Sequence, residues 1–182
     1  MLNKHAKKVI KKLMKGPGTF AVARNQEDRV MVISGFLLML VSLADYERFV
    51  QPVVMRAVPD VGDCITFSGG EKSAAQWEEY VYQSFKTTGK AKLTPWVKVL
   101  DGKETEARVF STEKGPMFVD RWFLDCFDSH GLEHVASFNL AESLLVITDG
   151  YGFKAIVAPL REHESVKDKA AGMALSGHYW GG

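Results

Sequence analysis

ESLLVITDGYGFKAIVAPLRE, residues 142–162, reads as two strands joined by a tight turn and closed by a proline and a charged exit. Val and Ile recur in both arms, with Thr148 in the first and Phe153 in the second, all residue types that suit a pleated, half-buried surface. Proline has no N–H to give to a strand ladder, so Pro159 ends the second arm. Two strands alone do not make a stable sheet in water. The chain upstream must supply the rest.

Working back from this hairpin, HVASFN (134–139) reads as a strand and VDRWFLDCFDS (119–129) as a helix. In that helix Val119, Trp122, Phe123, Cys126 and Phe127 face inward, and Arg121, Asp125 and Asp128 face out. AKLTPWVKVL and TEARVFS form a second hairpin around DGKE, with Pro95 making its first strand an edge or an irregular one. GGEKSAAQWEEYVYQSFK (69–86) reads as helical, DCITFS (63–68) as extended and ADYERFVQ (44–51) as a short helix, with Ser42-x-x-Asp45 resembling a capping box before it. TFAVARNQEDRVMVIS (19–34) is a hairpin turning at NQED, and FLLMLVS can follow as a third strand. At the start, LNKHAKKVIKKLMK (2–15) is the clearest helix: Leu2, Ala6, Val9, Ile10 and Leu13 share one face, and lysines fill the other until GPG stops it.

The length of 182 residues suits one domain with some extra, and 46% apolar residues allow a sizeable core. With 23 Lys+Arg against 22 Asp+Glu, net charge points neither to nucleic acid nor to a membrane surface; only its distribution does. Cys64 and Cys126 form no CxxC pair and read as free, partly buried thiols of a cytoplasmic protein. No long apolar stretch follows the basic first residues, and the run Val30–Ala44 is short of the roughly 20 residues a spanning helix needs. Neither a signal peptide nor a membrane partner is expected.

With the middle, Ala44 to Lys90, set aside, the order of elements is helix–strand–strand–strand, then hairpin–helix–strand–strand–strand. This is close to the same unit twice, a repeat of pattern only, without sequence identity between the halves. The expected fold is a single α+β domain over residues 1–161, two similar halves with a helical insert at about 44–90, followed by a loose tail, 162–182, whose HYW end can dock.

The segment Gly115–Arg161, with RWFLDCF at its helix and AIVAPLR at its finish, resembles the closing segment of bacterial DNA polymerase sliding clamps of the β-subunit type. In that family a helix with a Tyr-Leu-x-Asp-x-Leu-like core is followed by a strand, a hairpin and a Met-Pro-x-Arg-like end. This chain has Ala158 where the family has Met, continues past the motif, and has room for one clamp domain rather than three. The resemblance implies a non-enzymatic module without cofactor that binds DNA, or a protein client of replication or of a mobile element. A ring would need more protomers than the usual dimer.

On that basis Lys7, Lys8, Lys11, Lys12 and Lys15 are candidate contacts to the backbone of double-stranded DNA, at phosphate spacing and without reading sequence. The plain alternative is a solvated amphipathic helix. One positive and one negative helix also suit head-to-tail pairing in a homo-oligomer. The resemblance makes Pro159 and Leu160 candidate borders of an apolar groove for a linear peptide; the alternative is a strand end with a proline stop. HGLEH (130–134) matches the H-x-x-E-H pattern of a metal-dependent hydrolase, chemistry that needs both histidines on one helix face, and a loop is the ordinary explanation. SGGEKS (68–73) lacks the Gly-Lys-Ser/Thr order of a phosphate loop. Trp77, Trp96 and Trp122 are expected in the core. A scaffold that only self-associates is the remaining alternative.

Overall fold

The computed structural model describes residues 2–99, 106–128, 130–138, 143–150 and 152–160. Its centre is an eight-stranded antiparallel sheet in the order β4-β1-β2-β3-β11-β10-β9-β5. The meander β1 (Phe20–Arg24), β2 (Val30–Ser34) and β3 (Leu37–Val41) follows helix α1 (Lys4–Lys15). A second meander, β9 (Glu133–Ser137), β10 (Leu144–Asp149) and β11 (Gly152–Val157), follows the single-turn helix α5 (Arg121–Leu124). The meanders join at their last strands, where Leu37, Leu38 and Met39 oppose Val157, Ile156 and Ala155. The second arm of the 142–162 hairpin thus lies in the middle of the sheet.

Both faces of this sheet are covered, which is why its strands are almost continuously apolar. Side chains alternate between the two. Phe20, Val22, Val30, Val32, Met39, Leu145, Ile147 and Val157 join one core cluster. Ala21, Ala23, Met31, Ile33, Leu38, Val146 and Ile156 join the other. The first face is covered by α1, by a π-helical turn (Tyr46–Val50) and α3 (Gln51–Val54), which follow the short α2 (Leu43–Asp45), and by a smaller antiparallel sheet with α5. The second face is covered by α4 (Ala74–Ser84), through Ala74 and Trp77.

The segment expected as a helical insert is mixed. It carries β4 (Cys64–Ser68) and β5 (Thr88–Lys90), which pair with β1 and β9 and form the two outer edges of the large sheet. Gly69, just past β4, has φ +83°, and a Cβ there would lie 2.6 Å from the Thr19 Cα, so the chain passes at a point only glycine fits. Ser73 caps α4, in a capping box with Gln76. Ser42 makes half of such a box by accepting from the Asp45 N–H at 3.0 Å. The Asp45 carboxylate instead accepts from the Leu2 N–H at 3.3 Å.

The small sheet has the order β6-β7-β8, from β6 (Lys92–Val99), β7 (Glu106–Thr112) and β8 (Gly115–Asp120). Pairing along β6 breaks between Leu93 and Val97, around Pro95, as an irregular edge strand should. Trp96 at this break is 40% exposed, against the expectation of a core position, whereas Trp77 is buried. The turn DGKE and the tail 162–182 with its HYW end lie outside the described residues.

The helix expected over 119–129 is one turn long. Val119 and Asp120 belong to β8, and the Asp120 side chain caps the turn by accepting from the Trp122 N–H at 2.8 Å. After Asp125 the chain is captured by the N-terminus: the Asn3 N–H donates to the Cys126 carbonyl at 3.1 Å, and Leu2 pairs with Phe127. Of the inward set, Val119, Phe123, Cys126 and Phe127 are buried, by strand, turn and bridge rather than by helix, whereas Trp122 is half-buried and packs at the edge of the core.

Candidate nucleic-acid interface

α1 begins at Asn3, whose side chain accepts from the His5 N–H at 2.9 Å, and ends at Gly16. Ala6, Val9 and Ile10 are fully buried against the π-helical turn and the sheet. Covering Ile10 alone is worth about 1.5–3 kcal/mol, so the helix has one fixed orientation. Its opposite side carries Lys4, Lys7, Lys8, Lys11, Lys12 and Lys15, all exposed, with no acid in the helix. At 100° per residue these six fall within an arc of roughly 140° on a helix about 18 Å long.

This face is costly for an isolated helix. Seven pairs of lysines lie three or four residues apart on it, and each like-charge pair opposes helix formation by about 0.2–0.5 kcal/mol. The buried face holds the helix in place despite that repulsion. What results is a rigid, single-sign surface suited to a polyanion.

Two acids beside the α5 turn are engaged. Arg121 pairs with Glu106 and, at 3.3 Å, with Asp125. Burial pushes the Asp120 carboxyl above its ordinary range, and the Trp122 N–H and the Lys12 charge pull against that. Cys126, beneath the seam between α1 and α5, is pushed up to about 12 by burial, with the Asp125 charge adding to it, so its thiol stays protonated and inert. Cys64 is also a free thiol, half-buried.

The other candidate residues lie elsewhere. The Leu160 N–H donates to the Phe118 carbonyl at 2.8 Å, and its side chain packs on Ala107, Val109 and Phe118 of the small sheet. Neither it nor Pro159 lines the groove of about 190 Å³ that opens between α4 and one end of the large sheet. Ala158 does, with Ile33, Phe36, Trp77, Tyr80 and Ile156. Sequence reading missed this groove, because its walls come from distant parts of the chain.

HGLEH is a turn running into a strand. His130 and Gly131 are in the turn, while Glu133 and His134 open β9. Neighbours on a strand point to opposite faces, so Glu133 and His134 cannot gather on one side as they would on a helix. Among the described residues no group of three or more His, Cys, Asp and Glu is placed to hold a metal. His134 instead lies against Phe110, with ring centroids 5.0 Å apart.

Burial holds the His134 imidazole below its ordinary pKa. The unfolded chain, titrating near 6.5, therefore takes up its proton first as pH falls. The stability His134 contributes is fully present above about pH 6.5 and is lost as pH drops below it. Urea midpoints at pH 7.5 and 5.5 are expected to differ in that direction, and His134→Leu should flatten the difference.

No helix among the described residues is long and apolar enough to cross a membrane. Comparison with family models, with curated proteins and with solved structures finds no match to this chain.

Proposed function

We propose that this protein is a non-enzymatic, clamp-like α+β module that holds the backbone of double-stranded DNA against the lysine face of α1. The observation that carries it is a helix with six exposed lysines, no acid and an apolar side on which Ala6, Val9 and Ile10 are fully buried. Lysine binds phosphate as a point charge, and nothing on this face is shaped to read base edges, so binding is independent of sequence. The clamp-like part of the proposal draws support from two helix-plus-meander units that meet at β3 and β11. The inequality of α1 and α5 weakens the likeness of the halves. A protein client belongs to the same proposal, with the groove beside Phe36 and Ala158 as its seat.

Two duplexes of unrelated sequence, titrated at low salt, test this function. Equal affinities support it; no binding to either removes it. Mass measurement of the free and DNA-bound protein decides between a homo-oligomeric ring and a module that sits on one side of the duplex.

A further inference from the structure

We infer that Lys12 is a docking residue of this interface rather than a phosphate contact, its ammonium held by Trp122 at the seam between α1 and α5, and that Lys4 takes its place among the lysines facing DNA. This rests on the proposed role of α1.

The Lys12 Nζ lies 4.1 Å from the centroid of the Trp122 ring, well inside cation–π range. Asp120, one residue before the α5 turn, feels its charge. The His5 ring packs on the same indole in a T-shaped arrangement, with centroids 5.4 Å apart. The His5 Nε2 sits 3.1 Å from the Trp122 carbonyl, which only accepts, so that nitrogen carries the proton. Asn3 completes the seam: its side-chain amide donates to the Asp125 carbonyl at 2.7 Å. The short turn α5 is therefore the dock for α1, and Trp122 is its centre.

Position on the helix agrees. Lys4, Lys8, Lys11 and Lys15 fall within roughly 40° of the middle of the lysine arc, whereas Lys7 and Lys12 lie at its two edges, Lys12 at the one on the side of α5. Among the described residues the other five lysines of α1 have no ion pair or ring contact. A phosphate would have to draw Lys12 away from the indole face.

Two measurements on the full chain decide the matter. The first is the salt dependence of duplex affinity. Lys8→Ala should reduce the log–log slope by about 0.9, and Lys12→Ala should leave it unchanged. An equal reduction for Lys12→Ala overturns the inference. The second is a thermal double-mutant cycle. Lys12→Ala and Trp122→Ala should each lower the melting temperature, Lys12→Ala by about 1–4 °C, with the double variant falling by less than the sum. Trp122→Phe, which keeps a ring face, should restore most of the loss. Additive effects overturn the dock. If the wild type binds no duplex, the DNA proposal falls, and the cycle still decides whether Trp122 holds Lys12.

Discussion

Replacing Lys7, Lys8, Lys11 and Lys15 together by glutamate is expected to abolish duplex binding while leaving the fold intact. Non-specific backbone binding has Kd values of about 1–100 µM at physiological salt and is tighter below it. The charge-reversed protein should show no binding up to roughly 100 µM even at low salt, a loss of at least about 100-fold. All four side chains are exposed, so no core contact is lost. The carboxylate introduced by Lys8→Glu would face Lys4 and Lys12 across one turn, and several repulsive pairs would become attractive ones. The melting temperature should therefore hold or rise. Loss of binding with an unchanged melting temperature assigns the effect to the surface. Binding that survives the reversal places the contact elsewhere.

The largest stability effect is expected at Phe110. This residue of β7 is 0% exposed and points from the small sheet into the main core, against the His134 ring. Phe110→Ala removes a ring from a site whose backbone is fixed by strands on both sides, so the cavity cannot close. The expected cost is about 3–5 kcal/mol, a fall of roughly 6–20 °C in melting temperature for a chain of this size. Leu93→Ala, at the start of the break in β6, is the control. Leu93 is 45% exposed, and its loss should stay within about 0.5 kcal/mol. Urea denaturation of the two variants checks both values. A mild Phe110→Ala would mean that the small sheet is not part of the main core.

Much of the architecture was legible because its signals are local. Strands β1–β3 and β9–β11 follow from alternating β-branched and apolar residues, and α1 from a face repeating with the helical period. That both sheet faces are buried was already latent in VMVIS and LLMLV, where successive residues are apolar. The length of α5 was not legible. Residues 119, 122, 123, 126 and 127 satisfy a helical spacing, yet β-pairing with β7 claims the first of them and the N-terminus claims the last. Tertiary contacts thus overrode the local pattern. The three-residue strand β5 is too short to show a period, and it forms because β9 offers it an edge. The candidate site divides in the same way. The lysine arc reads directly from spacing in α1. The groove and the Lys12–Trp122 contact join residues far apart in the chain, and no single-sequence pattern announces them. The Trp96 break was half-legible: Pro95 signalled irregularity, without saying which side chain it would turn outward.

The central claim is that one rigid lysine face engages duplex phosphates. The salt slope of wild-type binding tests it most directly, by anisotropy of a labelled duplex between about 50 and 200 mM salt. Five lysine contacts at about −0.9 each predict a slope near −4.5 and an affinity loss of roughly 500-fold across that range. A slope near zero, or no binding at the lower salt, would contradict it.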